Sequence, residues 1–147
     1  MASGDFSRGV LKIFDGTVDL DTAVLKLMFL KSTYTYDPDH DQVSDLTEIT
    51  GVSGYTGGFA GAGRKTAVIT LTEQVANNRV VVIIGDLTWT TLGTGDTIGG
   101  AALIFETGGT DGNSIPLCFF DVTDFPTNGS DVTLDFDGVN GNIRATV

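Results

Sequence analysis

Branching at the β-carbon is the feature that most constrains the fold of this 147-residue chain. Thr, Val and Ile together supply 44 residues, about 30% of the sequence. Their side chains are stiff at χ1 and fit the pleated surface of a strand better than a helix. The acidic residues point the same way, because 16 are Asp, which favours turns, and only three are Glu. We therefore predict an all-β protein with room for one short helix.

The order of strand and turn signals predicts a single-domain β-sandwich of about eight strands. The stretch 23–31, AVLKLMFLK, is almost continuously apolar, which is typical of a central strand covered on both faces. Its nine residues also fit a short buried helix, but its neighbours favour a strand. Alternation over 130–137 is typical of a strand with one face in solvent. The predicted strands are 9–14, 23–31, 65–74, 79–84 continued by 87–90, 98–106, 115–122, 130–137 and 142–147.

Two stretches fall outside this strand pattern. Residues 1–9 are mostly small and polar around Phe6, so we predict a flexible, extended N-terminal arm ahead of a β-sandwich domain at 10–147. Residues 32–64 are irregular and rich in Gly, with one short helical turn expected within 43–49. A loop of this length in a compact domain is usually functional or disordered.

A large acidic excess argues against several classes of partner. Eight Lys and Arg stand against 19 Asp and Glu, which gives a formal net charge of −11. Nucleic acids and anionic membrane surfaces are both bound through basic faces. No apolar run is long enough to span a bilayer, and the first ten residues lack the pattern of a signal peptide. We predict neither nucleic acid nor membrane as a partner.

The run GGFAGAGRKT at 57–66 comes close to a phosphate-binding P-loop. Gly58 and Gly63 have the required spacing, but Arg64 stands where Lys is needed, and Lys65 arrives one residue late. A P-loop also leads into a helix whose N-terminus faces the phosphate, whereas this run leads into the β-branched stretch TAVITLT. We interpret it as a loop without nucleotide.

An acidic segment matches part of a calcium-binding loop. Asp37, Asp39, Asp41 and Glu48 occupy positions 1, 3, 5 and 12 of that pattern. Gln42 replaces the Gly needed at the sharp turn, and helical flanks are missing. We predict a structural acidic loop and not a high-affinity ion site.

A second oxygen-rich run, DFDGVNGN, contains Asp135, Asp137, Asn140 and Asn142. Its Gly and Asn residues are those that a tight hairpin needs, because they tolerate positive φ. We interpret this run as a turn and predict no metal site.

No arrangement of residues in the sequence indicates catalysis. His40 lies in a polar loop without a nucleophile motif nearby, and Cys118 lies in an apolar strand, where a buried thiol is typical. Trp89 is interpreted as a core or interface aromatic. We predict that the chain is not an enzyme and has no cofactor.

The segment LKLMFLKSTYTYDPDHDQVSDLTEITGVSGYT resembles a family of small virion proteins of tailed bacteriophages. Further segments, LTW at 87–89, TIGGAALIFETGG at 97–109, PLCFFDV at 116–122 and FPTNGSDVTLDFD at 125–137, extend the resemblance over roughly residues 20–147. The matching positions in the first segment are Leu27, Leu30, Lys31, Ser32, Tyr34, Asp37, Asp39, His40, Asp41, Val43, Ser44, Asp45, Gly54, Tyr55 and Thr56.

The resemblance implies a capsid decoration, or cement, protein that stabilises the particle by bridging subunits of the major capsid protein. We expect it to be made in the host bacterial cytoplasm and to lie on the outer capsid surface, since packaged DNA would repel an acidic protein. We also expect a homo-oligomer, with a trimer favoured. Aromatic residues in the arm and the long loop are the expected capsid or subunit contacts, namely Phe6, Tyr34, Tyr36, Tyr55 and Phe59. The alternative is that these aromatics cap the core of the sandwich.

A second hypothesis is a phage tail or tail-tip module of β-sandwich type. It would use the Gly- and Tyr-rich loop to bind a receptor or a glycan, through Tyr34, Tyr36, Tyr55 and Phe59. A weaker competitor is an enzyme domain with a shallow carboxylate site. Copy number separates the two hypotheses, because a cement protein occurs in hundreds of copies per particle and a tail-tip protein in a handful.

Overall fold

The computed structural model describes residues 3–136 and the backbone of residues 143–146. The strands are β1 Gly4–Asp5, β2 Leu25–Lys31, β3 Lys65–Thr66, β4 Ile69–Gln74, β5 Arg79–Ile84, β6 Leu87–Trp89, β7 Thr97–Phe105, β8 Ile115–Pro126, β9 Val132–Leu134 and β10 Ile143–Thr146. One α-helix, α1, spans Ser7–Phe14, and 3-10 turns lie at Val43–Asp45 and Val75–Asn77. The prediction of an all-β fold with one short helix is confirmed.

The largest sheet has five antiparallel strands in the order β1-β8-β7-β2-β3. Strand β2 lies between β7 and β3, with Leu27 opposite Leu103 and Phe29 opposite Ala101. Five of its seven residues are buried, which confirms the prediction of a strand covered on both faces.

One face of this sheet packs against a second layer made of β10-β5-β4 and β6-β9. Alternate residues of β2, including Leu27 and Phe29, meet Ile84, Trp89 and Leu134 from that layer. The rings of Phe29 and Trp89 have centroids 4.4 Å apart. This layered packing gives the fold its sandwich-like character.

The opposite face is covered by the chain start and by the long loop at 32–64. Met28 and Leu30 of β2 lie against Phe6, Tyr34 and Val43 in a second apolar cluster. The predicted helical turn within the loop is present as the short turn Val43–Asp45.

The beginning of the chain differs from its prediction. The predicted strand at 9–14 is the helix α1, and the predicted flexible arm contains strand β1, which pairs with β8 at Cys118 and Phe119. Gly9 lies directly against the backbone of Leu117, so the helix can approach β8 at a distance that a Cβ atom would prevent. A short apolar run fits a helix or a strand equally well, and here packing on β8 decides.

The other boundaries shift by a few residues. The predicted strand 65–74 is interrupted at residues 67–68, and β8 continues to Pro126. Across the part of the chain that the structure describes, no helix is long and apolar enough to cross a membrane.

Candidate functional site

The expected contact aromatics lie mostly inside the protein. Phe6 has no exposed surface, and Tyr34 and Tyr55 are buried. Tyr36 is half-buried and stacks on Phe119 with ring centroids 5.3 Å apart. Phe59, at 37% exposure, presents the largest accessible fraction of the five. They were expected as contacts because their residue types are enriched at interfaces and they lie in the arm or the irregular loop; Phe6, Tyr34 and Tyr55 are part of the core, and Phe59 is accessible to a partner.

Phe6, Tyr34 and Tyr36 form one aromatic group over β8. Phe6 meets Tyr36 edge to face at 5.4 Å, and Tyr34 lies 5.6 Å from Phe119. The Tyr36 hydroxyl donates to the Asp5 carbonyl at 2.6 Å, which ties the loop to β1. Burial raises the pKa of Tyr34 to about 12 and also raises that of Tyr36. These side chains therefore hold the chain start and the loop together.

Tyr55 belongs to the other face and connects the Gly-rich loop to β2. Its hydroxyl accepts from the Phe29 backbone N–H at 3.1 Å and donates to Glu48 Oε1 at 2.7 Å. Burial, together with the nearby Glu48 carboxylate, raises the pKa of Tyr55 well above its ordinary value. The phenol therefore stays neutral and acts as a hydrogen-bonding link.

A buried charged cluster, which the sequence did not predict, lies beside Tyr55. We call Arg64, Glu48, Glu106, Asp111 and Lys26 the Arg64 cluster. The Arg64 side chain is 1% exposed and donates to the carboxylates of Glu48, Glu106 and Asp111 at 2.6–3.0 Å. Lys26 lies 2.7 Å from Glu106. The formal charge of the cluster is two cations against three carboxylates, or −1.

Every N–H of the Arg64 guanidinium has a partner within the cluster. A guanidinium has five N–H donors. Nε donates to Glu48, Nη1 to Glu106 and Asp111, and Nη2 to Glu48 and Asp111. Although burial opposes the charge, these bonds raise the pKa of Arg64 above its ordinary value. Arg64, at the P-loop lysine position, has no donor left for a phosphate.

The carboxylates of the cluster also bind the backbone of the Gly-rich loop. Glu48 Oε2 accepts from the Gly58 N–H at 2.8 Å, and Glu106 Oε1 accepts from the Ala60 N–H at 3.1 Å. Burial would raise the pKa of Glu106, but hydrogen bonds from Lys26 and Arg64 outweigh it and hold the pKa below its usual value. The cluster thus fixes the loop that presents Phe59.

The calcium-like pattern does not close around a common point. Glu48 is engaged by Arg64, Asp41 lies 3.9 Å from Arg8, and Asp37 accepts from the Asp39 backbone N–H at 2.9 Å. Among the described residues, no group of three or more His, Cys, Asp and Glu side chains is placed to hold a metal ion. In the second oxygen-rich run, Asp137, Asn140 and Asn142 lie outside the described residues.

The remaining candidate side chains are Cys118, His40 and Trp89, and each is packed within the fold or contacts another side chain of it. Cys118 is buried, and burial raises the pKa of its thiol well above the ordinary value. His40 Nδ1 lies 2.9 Å from the Tyr34 hydroxyl. The Trp89 indole donates to the Gly63 carbonyl at 2.6 Å, and Lys65 lies over its ring at 5.5 Å. Trp89 is therefore a core aromatic, as one of the two sequence interpretations had it.

Comparison with known proteins adds no relative. No protein-family model matches the sequence, and no curated protein and no solved structure matches the chain.

Proposed function

We propose that this chain is a virion structural protein of a tailed bacteriophage that decorates the capsid and bridges subunits of the major capsid protein. The observation that carries the proposal is the sequence resemblance over roughly residues 20–147, centred on the segment at 27–56. The proposal covers the location on the outer capsid surface, synthesis in the host cytoplasm and assembly as a homo-oligomer, with a trimer as the first arrangement to test.

The position of that segment in the fold supports a structural role. Its apolar part is the central strand β2, and Tyr34 and Tyr55 pack on opposite faces of the sheet. The Asp45 carboxylate accepts from the backbone N–H groups of Asp41 and Gln42 at 3.1 and 3.0 Å. Several residues that carry the resemblance thus shape the scaffold, which supports a structural role.

Phe59 is the contact residue that we propose for the capsid. Its loop is held on the Arg64 cluster, so the exposed ring needs little ordering when a partner binds. Interfaces are enriched in such aromatic side chains. The net charge of −11 favours a partner with a basic rim and disfavours packaged DNA.

The tail-tip hypothesis uses the same loop residues, Tyr34, Tyr36, Tyr55 and Phe59. Two of the three tyrosines are buried and Phe59 is exposed, so burial does not separate this hypothesis from the cement role. Copy number remains the direct test. Mass analysis of purified particles should find hundreds of copies per particle, and a handful would favour the tail.

The function is tested on particles that lack the protein. We expect them to lose DNA under heat and osmotic shock more readily than complete particles, because a protein that binds only the assembled lattice stabilises it. Equal retention of DNA would contradict the cement role.

Phe59→Ser added back to such particles should bind them more weakly than the wild type. Val24→Ser, which removes another exposed apolar side chain, is the matched control and should bind normally. Equal binding by the two variants would remove Phe59 from the interface.

A further inference from the structure

The hairpin formed by β4 and β5 is almost free of charge in an otherwise acidic chain. Residues 66–85, which we call the β4–β5 hairpin, contain 20 residues and only two charged ones, Glu73 and Arg79. Their charges cancel, so the whole formal charge of −11 lies elsewhere in the sequence. Depletion of charge is characteristic of the centre of protein interfaces.

The same hairpin exposes large apolar side chains. Val68, Leu71, Val75 and Val80 are 65, 42, 73 and 43% exposed. Leu71 and Val80 lie on one face, because Leu71 pairs with Val82, two residues from Val80. The base of the hairpin is anchored in the core through Ile84, whereas its tip extends away from the core.

The outer edge of β4 is also open. In the order β10-β5-β4, the described strands pair with β4 on one side only, and its register with β5 runs unbroken from Ile69 to Gln74. Edge strands are commonly protected by Pro, a charged side chain or a β-bulge. Strand β4 has no Pro and no bulge, and its one charge is Glu73, near its end. Over residues 69–72, Ile69 and Leu71 alternate with threonines, and this uncharged part of the edge is a surface for strand addition.

We propose that the β4–β5 hairpin is the surface through which this chain binds a second copy of itself. Two chains of charge −11 repel each other over most of their surfaces, and the neutral hairpin is where they can approach at low electrostatic cost. Pairing along β4 would satisfy the open backbone groups and bury Leu71 and Val80. The proposal names the contact surface of the homo-oligomer, but it rests on the hairpin alone and not on the virion role.

The test is the mass of the full-length protein in solution, measured by sedimentation velocity and light scattering over a concentration series. We expect the wild type to form an oligomer, and Leu71→Lys and Val80→Lys each to shift it to a monomer. Val24→Lys, which adds the same charge at an exposed apolar position outside the hairpin, should stay oligomeric. Circular dichroism checks that each variant is folded.

Amide hydrogen exchange on the wild type provides a measurement that needs no variant. Amides of β4 should exchange more slowly at high than at low protein concentration, because the edge is paired in the oligomer. A wild type that stays monomeric at its highest soluble concentration would overturn the proposal. So would an oligomer whose mass is unchanged by both hairpin variants, or one whose β4 amides exchange at the same rate at all concentrations.

Discussion

Arg64 and Glu48 form a bidentate pair, with Arg64 Nε 2.9 Å from Oε1 and Nη2 2.7 Å from Oε2 of the carboxylate. Arg64 ends the irregular stretch 32–64, and Glu48 lies in its middle, after the acidic segment, so the pair ties the middle of this stretch to its end. Residues 51–64 form no helix or strand, so a charge contact holds them in place of secondary structure.

Removing the guanidinium should destabilise the protein strongly. Arg64→Met leaves the carboxylates of Glu48, Glu106 and Asp111 without their shared cation. Breaking a buried ion pair on one side costs about 3–5 kcal/mol, which we expect as the loss in the free energy of unfolding measured by urea denaturation. Lys12→Met, which removes a cation from the surface pair with Asp15, is the control and should change stability little. Similar small effects from both variants would show that the cluster is not a main stabiliser.

Glu106 should make the protein sensitive to acid. Its pKa is lowered in the folded state, so the folded protein binds fewer protons than the unfolded chain does. The resulting stabilisation is fully present above the pKa of a Glu side chain in the unfolded chain, about 4.3. It is lost as the pH falls through the pKa of Glu106 in the folded protein. We expect the difference in the free energy of unfolding between wild type and Glu106→Gln to be constant near neutral pH and to shrink in acid. Urea titrations at several pH values measure this difference. Glu73→Gln, on the exposed hairpin, controls for the loss of one charge, and a difference that does not narrow in acid would contradict the assignment.

The parts of the fold that the sequence predicted are those set by local pattern. The apolar run of strand β2 also fits a short buried helix, and the strand-like sequence on either side of it decided the prediction. The run at 9–14 is shorter and fits the periodicity of a helix as well as that of a strand. Its contact with β8 therefore determines that it forms helix α1. The burial of Phe6 depends on the same packing of the chain start on β8.

The Arg64 cluster could not be predicted in the same way. Arg64 and Asp111 are 47 positions apart, and nothing local singles out Asp111 among 16 aspartates. The signal in the sequence for this cluster was an Arg within a Gly-rich run that does not match a phosphate-binding loop. Likewise, Tyr34 and Tyr55 were expected as contacts because they lie in a long irregular loop, whereas long-range packing buries both rings.

The acidic loop should not bind calcium tightly. Three of the four carboxylates have separate partners: Glu48 binds Arg64, Asp41 lies near Arg8, and Asp37 accepts from the Asp39 backbone N–H. Calcium requires six to eight oxygens around one point. Calorimetric titration with calcium chloride should therefore detect no high-affinity binding. Tight binding that is lost in Asp39→Ala would prove the prediction wrong.

Phe6 anchors the beginning of the chain, and its loss should cost far more than the loss of an exposed aromatic nearby. Its side chain is fully buried against Tyr36 and the sheet, at the point where β1 ends and α1 begins. Truncating a buried Phe to Ala typically costs about 3–5 kcal/mol, and we expect Phe6→Ala to lower the free energy of unfolding by such an amount. Phe14→Ala removes the same ring from the end of α1, where it is 81% exposed, and should change stability by no more than about 0.5 kcal/mol. Thermal and urea unfolding of the two variants measure the difference. If Phe6→Ala were as mild as Phe14→Ala, the chain start would be the loosely held arm that the sequence first indicated.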